Sequence, residues 1–112
     1  MSQVTTHVLD TACGRPAAGV PVRLLRVTGG DGTSEVLADA ATNEDGRVPD
    51  LGPERLEPGT YRLAFDLAGY ADATGQACFF PEATLTFRVT DGSHYHVPLL
   101  LSPFAYSTYR GS

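Results

Sequence analysis

Two histidines one residue apart, in "HYHVPLLLS", could meet a substrate or a metal together, because alternate residues of a β-strand share a face. His94 and His96 then lie on one side with Pro98 and Leu100, and Tyr95, Val97, Leu99 and Leu101 on the other. A third histidine, His7 in "VTTHVLD", shares its face with Thr5 and Leu9, against Val4, Thr6 and Val8. Imidazole is the side chain whose ordinary pKa suits proton exchange near neutral pH. Arg47 follows the Asp45-Gly46 turn signal of "TNEDGR", and its planar fork suits a carboxylate, enolate or ureide edge. The segment "SPFAYSTYRGS" adds Tyr106, Ser107, Thr108, Tyr109, Arg110, Gly111 and Ser112, with hydroxyls, a guanidinium and an expected carboxylate at Ser112. Each group has a plainer reading: a solvated strand histidine, a rim arginine after a turn, an aromatic final strand. Zinc on His7, His94 and His96 is a further alternative. Residue types and spacing leave these open.

Composition removes other chemistries. All eight cations are arginine, so Schiff-base catalysis on a lysine amine is excluded. A net charge of -5 and a pI near 4.9 argue against nucleic acid, whose binders cluster cations. Cys13 and Cys78 are too distant in sequence for a C-x-x-C pair and are expected to be structural or incidental. The acid pairs Glu44/Asp45 and Asp50/Glu54 fall in turn-rich stretches, where carboxylates are mostly solvated. No nucleophile elbow, phosphate-cradling loop or dinucleotide fingerprint is present. The start "MSQVTTHVLD" has no basic and apolar leader pattern, and no stretch reaches membrane-spanning length. A cytoplasmic protein without a membrane partner is expected.

The elements that must position these groups are strands. "GVPVRLLRV" puts Val20, Val22 and Leu24 on one face; "GTYRLAFDL" does so with Tyr61, Leu63 and Phe65, and "ATLTFRVTD" with Leu85, Phe87 and Val89. Gly, Pro, Asp and Asn punctuate them, as in "TGGDGT", "EPGT" and "TDGS". Short strands so spaced predict an all-β sandwich or barrel. The one predicted helix is "DLAGYADATG", with Asp66 as candidate N-cap. Pro98 cannot donate a ladder hydrogen bond, which predicts an edge position for its strand, and an apolar edge predicts an oligomer. The 112 residues suffice for one domain, residues 1–112, hiding roughly two thirds of its unfolded surface.

Several segments together resemble one family. "HVLDTACGRPAAGVPVRL", "TNEDGR", "FFPEATLTFRV" and "HYHVPLLLSPFAYSTYRGS" are similar, in order and from His7 to Ser112, to 5-hydroxyisourate hydrolase, the transthyretin-like enzyme of urate breakdown. The resemblance implies a transthyretin-like antiparallel β-sandwich of two four-stranded sheets with one short α-helix. It further implies a homotetramer, a dimer of dimers, with active sites at the subunit interface. The implied reaction opens the six-membered ring of 5-hydroxyisourate to 2-oxo-4-hydroxy-4-carboxy-5-ureidoimidazoline, with no metal or organic cofactor. The implied catalytic residues are His7, Arg47, His96 and Ser112, and the implied substrate-binding residues are His7, Arg47, Tyr109, Arg110 and Gly111. His94 belongs to the motif without an assigned role. With the motif ending at Ser112, an added C-terminal residue is expected to impair turnover. Phe104 and Ala105 stand where many members have Trp and Gly, and no Trp lies near Glu35 to Leu37; neither departure touches a site position. The competing expectations are a non-enzymatic transthyretin-like small-ligand binder and an adhesion or scaffold sandwich.

Overall fold

In the computed structural model, which describes residues 2–112, half-buried strands fold into two sheets packed face to face. The strands are β1 (Val4–Asp10), β2 (Arg15–Pro16), β3 (Pro21–Val27), β4 (Ser34–Ala41), β5 (Arg47–Val48), β6 (Gly59–Asp66), β7 (Glu82–Val89), β8 (Tyr95–Ser102) and β9 (Ala105–Thr108). One sheet runs β4-β3-β6-β7, all antiparallel. The other runs β2-β1-β8-β9, with β5 also pairing on β1, so it has five strands where four were expected. Strands β1 and β8 are parallel, which makes this sheet mixed.

The alternating apolar residues supply the inner faces, as their period requires. Val22 and Leu24 of β3, Tyr61, Leu63 and Phe65 of β6, and Leu85 and Val89 of β7 are buried. Against them pack Val4 and Val8 of β1 and Tyr95, Val97, Leu99 and Leu101 of β8. The inner face of β1 ends on a buried acid. Asp10 accepts hydrogen bonds from the Tyr70 hydroxyl (2.6 Å), the Gln76 amide (2.9 Å) and the backbone N–H groups of Ala12 and Cys13. Burial pushes its pKa up, but these bonds outweigh that and hold the carboxyl below its ordinary value. Tyr70 comes from α1 (Ala68–Thr74), the single helix among the described residues, whose docking Asp10 thus fixes.

Two further expectations need correction. The helix is capped at Leu67 with no side-chain cap; Asp66 only reaches the Gly69 N–H, through Oδ1 at 3.4 Å. The helix stops at Gly75, whose left-handed φ of 69° suits glycine. The second concerns β8, which is not an edge. It lies between β1 and β9, and the Pro98 carbonyl accepts a hydrogen bond from Thr108 Oγ1 (2.7 Å) across the β9 pairing. The free edge is β9, all four of whose residues are exposed. Among the described residues no helix is long and apolar enough to cross a membrane.

Candidate active site

Because β1 buries Val4, Thr6, Val8 and Asp10, its intervening residues Thr5, His7 and Leu9 are pushed to the outer face of the five-stranded sheet. His96 leaves the inner face for the same reason, between buried Tyr95 and Val97. Three backbone registers then bring distant residues side by side. Thr5 lies opposite His96 in the parallel β1/β8 pair, His7 opposite Arg47 in the antiparallel β1/β5 pair, and His96 opposite Gly111 in an isolated antiparallel bridge.

The turn before Arg47 sets the second of these. Asn43 Oδ1 accepts from the backbone N–H of Asp45 (2.9 Å) and of Arg47 (3.0 Å), closing the loop upon itself. Gly46 has φ of 73°, and a Cβ there would collide with the Val8 carbonyl, so only glycine lets the turn sit against β1. The turn also holds a catalytic candidate: the Asp45 carbonyl, which can only accept, takes a hydrogen bond from His7 Nε2 at 2.8 Å. His7 therefore carries a proton on Nε2.

Arg47, His96, Tyr109, Gly111 and Ser112 line one open pocket of about 520 Å³, with Thr5 and His94 in the same wall. Arg47 is the one arginine in that lining, and no Asp or Glu side chain is among its lining residues. His7 stands beside this wall, close enough for its charge to act on His96. The His96 pKa lies below that of ordinary imidazole, first because the ring is partly buried, then because Arg47, His7 and His94 each disfavour a second positive charge nearby. Neutral His96 is thus the prevailing form at neutral pH. Its Nδ1 bonds to Thr5 Oγ1 at 2.8 Å.

Gly111 explains itself by what it touches. Its N–H donates to the His96 carbonyl at 2.7 Å, and a Cβ added to it would stand 2.6 Å from His96 Cδ2 and 3.3 Å from Cγ. Its φ is not in the left-handed region, so space, not backbone freedom, demands the glycine. Gly111→Ala is expected to turn the His96 ring or lift residues 109–112 away. The expected loss in kcat is about tenfold, below the ~10²-fold that a full ångström of misplacement can cost, because segment 109–112 can yield. Steady-state rates beside an unchanged melting curve would establish it.

Arg110, expected to contact substrate, does not line the pocket. Its guanidinium lies 4.3 Å from the centroid of the Tyr95 ring and donates to Ser93 Oγ (3.2 Å) and the His94 carbonyl (3.3 Å). It ties the 109–112 segment to the start of β8. Sequence reasoning missed Thr5 and Asn43, although alternation had already placed Thr5 beside His7. His7, His94 and His96 do not converge as a ligand set, and no group of three His, Cys, Asp or Glu side chains suited to a metal occurs among the described residues.

Comparison with known proteins follows the same outline. The HIUase/Transthyretin family model matches residues 4–111. The 5-hydroxyisourate hydrolase of Deinococcus radiodurans is 50% identical over 115 residues, covering 97% of this chain and 95% of that protein. A bifunctional uric acid degradation protein of Arabidopsis thaliana is 46% identical across 97% of this chain, which spans only 37% of that longer protein. Among solved structures, 5-hydroxyisourate hydrolase of Klebsiella pneumoniae superposes with a TM-score of 0.84 at 37% identity, covering 97% and 98% of the two chains. Sea bream transthyretin in complex with thyroxine gives 0.90 at 30% identity, covering 97% and 94%.

Proposed function

The chain belongs to the HIUase/transthyretin family, and from that premise we propose that its outer-face pocket hydrolyses 5-hydroxyisourate, opening the six-membered ring to 2-oxo-4-hydroxy-4-carboxy-5-ureidoimidazoline. The observation that carries this reading is an imidazole and a guanidinium in one pocket, with His96 Nε2 on the side of the ring away from its hydrogen bond to Thr5.

Hydrolysis of a cyclic amide needs water made nucleophilic, charge stabilised on the attacked carbonyl oxygen, and a proton for the departing nitrogen. His96 Nε2 takes a proton from water as its oxygen bonds to the ring carbonyl carbon. Arg47 stabilises the negative charge that develops on the carbonyl oxygen. The carbon–nitrogen bond then breaks, and the proton held by His96 passes to the nitrogen, leaving a carboxylate and a ureido group. His7, fixed by the Asp45 carbonyl, orients the substrate from the side of β5. Tyr109 and Ser112 hold its polar edge, and Arg110 acts at one remove by anchoring their segment. No metal or organic cofactor enters this scheme.

A thyroxine carrier of the same fold has no use for a base and a cation poised together, which is why the hydrolytic reading is preferred. We further propose a homotetramer, built as a dimer of dimers, in which a partner's outer face closes the open pocket. Exposed Phe104, Tyr106 and Phe79 are the apolar surface such contacts would cover, and sedimentation velocity is expected to give four chains. The free, exposed thiols of Cys13 and Cys78 suit a reducing compartment, the cytoplasm.

The test is to generate 5-hydroxyisourate from urate with urate oxidase and follow its ultraviolet decay, which the protein should accelerate. Its pH dependence follows from His96. A base with a lowered pKa is unprotonated above that value, so kcat/KM should rise with pH through a midpoint below the ~6.5 of free imidazole and then level off. A midpoint above that of free imidazole would remove His96 as the base.

A further inference from the structure

Thr5 Oγ1 lies 2.8 Å from His96 Nδ1 and 2.8 Å from His94 Nε2, and a hydroxyl has one proton to give. It therefore cannot donate to both rings. Three arrangements put a proton in each bond, because the hydroxyl oxygen also has two lone pairs with which to accept. In one, His94 Nε2–H donates to Thr5, whose hydroxyl donates to His96 Nδ1, so neutral His96 carries its proton on Nε2. In the second, His96 Nδ1–H donates to Thr5, whose hydroxyl donates to His94 Nε2, and in the third both rings donate to the Thr5 oxygen; in either of these the His96 Nε2 lone pair is free.

Only the second and third arrangements let His96 take a proton at Nε2. The Nδ1 side of the ring is occupied by Thr5, and the Cδ2 side is pressed by Gly111. Water in the pocket must therefore be met at Nε2. Once protonated there, the ring carries two N–H groups, and the one at Nδ1 needs an acceptor. Thr5 Oγ1 already serves as one, and no atom of the chain has to reorient during proton transfer.

We propose that Thr5 is a positioning residue that sets the tautomer of His96 by accepting from its Nδ1–H, with His94 as the second partner that holds the Thr5 hydroxyl in place. The inference rests on the hydrolytic reading above for its catalytic consequence, but the tautomer itself can be read without any turnover. His94 thereby gains a role although its own ring is exposed and makes no contact assigned to substrate.

The experiment uses Thr5→Val, which keeps the branched shape of the strand residue and removes the hydroxyl, and Thr5→Ser, which restores the hydroxyl. Two-bond ¹H–¹⁵N correlation spectra of the histidine rings, recorded above the pH at which His96 loses its charge, report which nitrogen is protonated. The wild-type protein is expected to show His96 protonated on Nδ1, and Thr5→Val to show the proton moved to Nε2. In the decay assay Thr5→Val should lose roughly tenfold in kcat, the lower end of what removing a group behind a reacting histidine costs, with KM within about twofold. Thr5→Ser should recover both the spectrum and most of kcat. An Nε2-protonated His96 in the wild-type protein overturns the proposal, as does a Thr5→Val protein with unchanged spectrum and unchanged kcat. A protein with the expected spectra that fails to accelerate decay would instead overturn the hydrolytic reading.

Discussion

Replacing His96 by Gln is expected to lower kcat for ring opening by about 10³-fold, near the middle of the range for loss of a general base. Glutamine has similar reach and can still bond to Thr5, but its amide takes no proton near neutral pH. The fold should tolerate the change. His96 lies on the outer face of the sheet, the Gly111 N–H bonds to its backbone carbonyl, and the core is built from Tyr95, Val97, Leu99 and Leu101 on the opposite face. The melting curve should therefore stay close to that of the parent while kcat falls and KM moves little. Equal losses in kcat and kcat/KM would mark an interaction made in the transition state. A drop confined to KM would instead assign His96 to substrate binding.

Replacing Arg47 by Ala is expected to cost about 10²- to 10³-fold in kcat, the range seen when a preorganised group facing a developing oxyanion is removed. A second effect distinguishes this account from simple loss of binding. Arg47 is the first of the neighbouring charges that lower the His96 pKa, after burial of the ring. Without that positive charge the imidazolium becomes easier to form, so the rising acid limb of the residual activity should move to higher pH. Arg47→Lys retains the charge but not the planar fork. It should hold the limb near its parental position while recovering only part of the rate. An Arg47→Ala profile that falls in height but keeps its midpoint would mean that the guanidinium does not act on His96.

Much of the frame that presents these groups was legible in the sequence. The alternation in β3, β6 and β7 marked the core-facing residues, with Phe87 only partly buried, and in β8 it separated the two faces, because a strand with one buried face repeats every two residues. Strand β4 was not legible. Its "SEVLADAA" has no alternation of large apolar residues, it lies at the sheet edge with most residues exposed or half-buried, and its register with β3 shifts beside Leu24. Strands β2 and β5, two residues each, exist only through pairing with β1. Pro98 misled for a related reason: the return strand β9, which makes β8 interior, is specified by backbone pairing more than by any pattern in "AYST".

The site divides along the same line. His7, Arg47, His96 and residues 109–112 could be marked by resemblance, yet their mutual geometry depends on pairings between residues far apart in the chain. Thr5 opposite His96 and Gly111 against the His96 ring are relations that no local window contains. Arg110 shows the cost of reading a motif as one unit. Tyr109, Gly111 and Ser112 reach the pocket while the Arg110 guanidinium goes to Tyr95.

The measurement that bears most directly on the central claim follows ¹³C-labelled 5-hydroxyisourate by NMR in the presence of catalytic amounts of the protein. The attacked ring carbonyl should convert to a carboxylate much faster than in buffer, the ureidoimidazoline should be the first product, and His96→Gln should return the rate nearly to that of buffer. Decay at the buffer rate with the parent protein, or an equal acceleration by His96→Gln, would contradict it.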